Sequence, residues 1–181
     1  MTDQYEVSAT DPDWTRERKS RRVWSPSRSF LGSLRAYQKY REQRGFWAWM
    51  MCQIAVLRHR YWSAIAGVDI PLNAKIGGGL LMPHPNGIVI HPDSEIGPNC
   101  LIFQQVTIGA STNGCPKIGG HVDIGAGAKI IGPITIGDHA RIGANGIVHF
   151  DVPSGATVIA ASARIVKSEA PVGQTAESED I

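Results

Sequence analysis

The chain has 181 residues, 43% hydrophobic and 19% charged, a composition that suits one folded domain with a small appendage and excludes a wholly disordered protein. Its 18 Lys and Arg against 16 Asp and Glu leave a formal charge of +2, without the basic excess that nucleic-acid binding would require. Three cysteines (Cys52, Cys100, Cys115) without CxxC spacing argue against a disulfide framework and for a reducing compartment. A polar, acidic start and the lack of any apolar run of about 18 residues predict a cytoplasmic protein.

Aromatics and glycines separate along the chain. Every Trp and Tyr lies before residue 63, whereas all glycines except Gly32 and Gly45 lie at or after Gly67. Two structural regimes are therefore expected, with a boundary near residue 67. Residues 1–27 combine acidic residues, a basic cluster (Arg16, Arg18, Lys19, Arg21, Arg22) and Pro26, which predicts a mobile polar arm. Residues 28–66 read as helical. Phe30, Leu31, Leu34, Tyr37 and Tyr40 recur at helical spacing, and a second helix is predicted over 46–66, interrupted by Arg58-His59-Arg60. Its aromatics are expected to pack on the rest of the protein or on another subunit, with docking to a membrane surface as the alternative.

From Ile70 the sequence keeps a six-residue period. Ile90, Ile96, Ile102 and Ile108 are six apart, as are Ile118, Ile124, Ile130, Ile136, Ile142 and Val148. Gly follows in seven of these units, at 77, 97, 109, 119, 125, 137 and 143. A small or β-branched residue follows the Ile by four places, as Ser94, Cys100, Val106, Val122 and Ala140 do. Neither a helical nor a two-residue period produces this pattern. A hexapeptide repeat does: each unit is a short strand and a turn, and three units close one triangular coil of about 18 residues. The Ile side chains are expected to stack inside the prism, with Gly supplying the turn conformations. The prediction is a mainly β chain, a parallel β-helix of four to five coils over residues 67–167, followed by a disordered acidic tail over 168–181.

A solenoid has only to stack, so its interruptions are the informative places. There are two. One is Pro83–Gly87, where the count slips between Met82 and Ile90. The other is Gly109–Lys117, where ten residues separate Ile108 from Ile118.

At these residues the chain resembles the serine acetyltransferase branch of the hexapeptide acyltransferases. The runs that carry the likeness are GVDIPLNAKIGGGLLMPHPNGIVI, QQVTIG, CPKIGGHVDIGAGAKIIGPITIGDHARIGANGIV and, more weakly, SARIV. The resemblance implies a left-handed β-helix that transfers acetyl from acetyl-CoA to L-serine. It places the general base on His84 and the aspartate that orients it on Asp69. By position, CoA contacts fall on Ala110, Ala126, Arg141 and Ala144, with Arg164 and Lys167 for the nucleotide phosphates. Acceptor contacts fall on Asn86 and Cys115. A backbone N–H of the 109–117 insertion is a candidate oxyanion donor. The family also implies a homotrimer. The histidines show no HxxxH or HExxH spacing, so no metal is expected, and His91, His121, His139 and His149 are read as surface residues.

The chain departs from the family where a zwitterionic acceptor would be held. Pro83 stands where an aspartate is usual, Gly114-Cys115 where the family has Arg-His, and Pro92 where it has glutamate. CPKIG is also similar to colanic-acid-type acetyltransferases. The alternative acceptor is accordingly a sugar hydroxyl in exopolysaccharide or capsule biosynthesis.

Overall fold

A computed structural model describes residues 7–19 and 23–164; Lys167 and the predicted tail over 168–181 lie outside the described residues. Twelve very short strands wind into five coils with three faces. The first face stacks β2 (Val89–Ile90), β5 (Thr107–Gly109), β8 (Lys129–Ile131) and β11 (Ile147–Val148). On the second lie β1 (Lys75–Ile76), β3 (Glu95–Ile96), β6 (Lys117–Ile118) and β9 (Thr135–Ile136). The third carries β4 (Leu101–Ile102), β7 (Asp123–Ile124), β10 (Arg141–Ile142) and β12 (Thr157–Val158). All pairs are parallel and in like register, with Ile96 on Ile118, Ile102 on Ile124 and Ile108 on Ile130. The second residue of each strand therefore points into the prism, and Ile102, Ile108, Ile124 and Ile130 have no exposed surface. Each such side chain contributes about 1.5–3 kcal/mol of burial.

The recurring glycines serve close stacking rather than turns. Gly77, Gly97, Gly119, Gly125, Gly137 and Gly143 are not among the positive-φ residues; at the corners that conformation falls instead on Asn99, Gln105, His121, His139 and Asn145 as well as on Gly79, Gly87 and Gly127. A Cβ on Gly97 would lie 2.5 Å from the carbonyl carbon of Gly119 in the next coil. The six-residue period thus excludes side chains where coils touch, while left-handed turns fall elsewhere in the unit.

The two interruptions stand where the sequence places them. A third irregularity closes the solenoid: Ile136 bridges to Val152, so the last coil is shorter than the ones beneath it.

Helix α1 (Pro26–Tyr40) begins with Pro26 in its first turn, where a missing N–H costs nothing. Phe30, Leu31 and Leu34 are fully buried and join the solenoid core, covering its first coil. Helix α2 (Phe46–Ala66) is continuous through the charged cluster, because His59 turns inward and its Nε2 lies 2.9 Å from the Ile70 carbonyl. That contact fixes the Nε2–H tautomer, and burial holds the ring's pKa below 6.5. α2 ends at Gly67, in a left-handed conformation that glycine adopts without strain. Phe46, Trp47 and Trp49 are 60–72% exposed and, among the described residues, stack mainly on one another, with ring centroids 6.0 Å apart.

Residues 7–19 belong to the expected polar arm. They lie along the corner between the second and third faces. Buried Asn99 accepts from the Asp13 N–H at 2.7 Å and donates to the carbonyls of Ser8 and Asp11 at 2.7 and 2.8 Å. Glu17 accepts from the Leu80 N–H and pairs with Arg35 at 2.8 Å, while Arg35 also donates to the carbonyls of Ile76 and Gly77. The polar composition that suggested disorder supplies the hydrogen bonds that tie the segment down.

Candidate active site

Face and corner decide which of the candidate residues can meet. His84 lies on the loop joining the third face to the first. That loop is the lowest step of a stacked corner: the Gln105 N–H donates to Asn86 O at 2.9 Å, Gly127 N–H to Gln104 O at 2.9 Å, and Asn145 N–H to Ala126 O at 2.8 Å. His84, Asn86, Ala126 and Ala144 therefore share one edge of the first face. The loop is also pinned to the end of α2, because the Gly87 N–H donates to Gly67 O at 2.7 Å. A Cβ on Gly67 would collide with the Asn86 side chain, 2.5 Å from its Nδ2. Gly67 thus provides both the helix stop and the room for the loop.

Asp69 opens the first face beside this loop, with its N–H on Ile88 O and its carbonyl accepting from the Ile90 N–H. Its side chain and that of His84 are both exposed, and among the described residues neither makes a side-chain hydrogen bond. They line different hollows on the two sides of the last turn of α2. Asp69 lies in an open cleft with His59, Arg60, Ser63 and Val89. His84 lies in a cavity of about 270 Å³ lined by Pro26, Ile65, Ala66, Pro83, Pro85 and Asn86. Among the described residues no charged side chain lines the cavity at His84.

The second interruption lies on the opposite edge of the first face. Ala110 and Cys115 both stand there, on the 109–117 loop, which is closed by a pair of hydrogen bonds between Ser111 and Gly114. One coil earlier at the same corner is His91. Its Nδ1 lies 3.3 Å from Cys115 Sγ, accepts from the Asp93 N–H at 3.3 Å and is 3.9 Å from the Asp93 carboxylate. His91 is thus half-buried and engaged, not a bare surface residue. Its signal in the sequence is that it follows Ile90 where seven other units carry Gly.

The remaining residues are scattered. Arg141 is exposed on the third face, 3.9 Å from Asp123, and Arg164 is exposed beyond the last coil. Lys167 lies outside the described residues. His121 and His139 stack on adjacent coils with Nδ1 atoms 2.9 Å apart, near the N-terminal segment and away from both interruptions.

No protein-family model matches the chain. Among curated relatives, serine acetyltransferase 5 of Arabidopsis thaliana is 41% identical over 135 residues, covering 72% of this chain and 43% of that one. A soybean serine acetyltransferase structure superimposes with a TM-score of 0.65 at 31% identity, covering 85% of this chain and 66% of that one. A Neisseria gonorrhoeae serine acetyltransferase structure, in complex with serine, gives 0.59 at 34% identity, covering 77% and 55%. The chain spans about half the length of the curated relatives it matches.

Proposed function

Proceeding from the membership of its solenoid in the serine acetyltransferase branch of the left-handed β-helix acyltransferases, we propose that the chain transfers acetyl from acetyl-CoA to the hydroxyl of L-serine, in the cytoplasm. The observation that carries this reading is the position of His84: an exposed imidazole on an interrupted coil, over a cavity at the edge of the prism.

His84 acts as general base. It removes the acceptor hydroxyl proton as the oxygen attacks the thioester carbon, and it returns that proton to the CoA sulfur as the tetrahedral intermediate collapses. A backbone N–H of the 109–117 loop donates to the oxyanion. Asp69 is the orienting carboxylate. The Gly67–Gly87 hydrogen bond joins the two backbone segments that carry Asp69 and His84.

The two interruptions stand on opposite edges of one face, so a site that uses both takes one edge from each of two copies. In a homotrimer three such sites close around a threefold axis. His84, Asn86, Ala126 and Ala144 come from one copy, and Ala110 and Cys115 from its neighbour. Arg141 is a further CoA contact, and Arg164 and Lys167 are the cations for the nucleotide phosphates.

A second reading, transfer to a sugar hydroxyl, is favoured by one feature: among the described residues of its own chain, the cavity at His84 has no charged lining residue to pair with a zwitterion. Release of CoA thiol with L-serine and with neutral sugars as acceptors separates the two. Turnover with serine supports the first reading; turnover only with sugars replaces it with the second. Turnover with neither, despite CoA binding, overturns both.

A further inference from the structure

His91, Asp93 and Cys115 bring an imidazole nitrogen, a carboxylate oxygen and a thiol sulfur together at the corner between the first and second faces, all within 4.8 Å of one another. The three come from two coils, and neither His91 nor Cys115 is required by the repeat. His91 stands in the place where other units have Gly, and Cys115 belongs to the residues inserted between Ile108 and Ile118.

We propose that these three side chains form a binding site for a zinc-class divalent cation, one per chain, with a coordination position left open to water or another oxygen ligand. The donor set of one thiolate, one imidazole and one carboxylate selects a borderline-soft ion over magnesium or calcium, which take oxygen ligands. The geometry is close to what such an ion needs. Tetrahedral coordination at about 2.0–2.3 Å places ligand atoms roughly 3.3–3.6 Å apart. Here Sγ and Nδ1 are 3.3 Å apart, and Nδ1 and Oδ2 are 3.9 Å apart. The Asp93 N–H donates to Nδ1 at 3.3 Å, so this nitrogen carries the lone pair, and a bound ion takes the place of that hydrogen bond. Binding displaces the Cys115 thiol proton to solvent, and the exposed Asp93 carboxylate, 3.9 Å from Nδ1 and within 4.8 Å of the sulfur, moves inward to make the third bond. The missing HxxxH spacing bears only on ligands near one another in sequence, whereas these three meet through the stacking of adjacent coils.

The test is independent of acetyl transfer, because it uses no substrate. The full chain, stripped of metal, is titrated with cobalt(II) and read by absorbance. The site predicts a thiolate-to-cobalt charge-transfer band with tetrahedral visible bands, saturating at one ion per chain and displaced by zinc. Cys115→Ser removes the charge-transfer band, and His91→Gln weakens binding by at least about 10–100-fold, the range lost when even an outer-shell partner of a metal site is removed. Cys52→Ser leaves the spectrum unchanged. Circular dichroism of each variant confirms that it is folded. Absence of the band in the folded wild type, or a band that persists in Cys115→Ser, overturns the site.

Discussion

The fourth coil and the second are built from the same units and do different work. In the fourth, β8, β9 and β10 each stack on the coil beneath, every inward Ile is buried, and glycines at 125 and 137 let backbones touch. The second is entered through Pro83–Gly87 and lies against the coil that carries the 109–117 loop; it places His84 and His91 at the two edges of its first face, while β2, β3 and β4 keep their register. Stability thus comes from what repeats, and chemistry is available only where the repeat is relaxed. Substitutions in the regular coils should change folding and spare the sites, and substitutions in the loops should do the reverse.

The largest expected effect on stability is in the regular coils. Ile124→Ala opens a cavity in a position with no exposed surface and should cost about 2–5 kcal/mol. In a thermal melt that is a fall of roughly 4–20 °C. Gly97→Ala comes next, because its Cβ meets backbone 2.5 Å away; a melt unchanged from wild type would show that the coils can separate at no cost.

The division between repeat and interruption is legible in the sequence because a buried prism repeats one packing environment at a fixed period. Both breaks at 83–87 and 109–117 could be read from a lost count of isoleucines. What could not be read depended on contacts across coils or between distant segments. Asn99 gives no sign in sequence that it will hold residues 8–13, and the shortened last coil has no motif. The pairing of His91 with Cys115 follows from stacking register, which shifts with every inserted residue. Asp69 and His84 were placed together by resemblance; the backbone brings them to one corner without joining their side chains.

A smaller effect tests the link between α2 and the first coil. Burial lowers the pKa of His59 below 6.5, and burial also lowers that of His121. Above about pH 6.5 both folded and unfolded chains carry neutral rings, so stability is flat; as pH falls through 6.5 the unfolded chain takes up protons that the folded chain refuses, and stability declines. The melting temperature should drop between roughly pH 7 and 5, and His59→Gln should flatten that slope. An unchanged slope would remove His59 from the account.

The smallest effect is chemical. Burial pushes the Cys100 thiol up to about 11, so an alkylating reagent should label half-buried Cys52 and Cys115 and spare Cys100 until the chain unfolds. Mass spectrometry of the native, labelled protein reads the sites directly. Rapid labelling of Cys100 would mean that the second and third coils open more readily than their packing allows.

The most direct test of the central claim is acetyl-CoA-dependent thiol release with L-serine by His84→Ala, measured beside its melting temperature. The rate should fall by about 10²–10⁴-fold with the melt unchanged, because the exposed imidazole is placed for the reaction and not in the stack. Full serine turnover by the folded variant would contradict the account, since the interrupted coil would then not carry the base.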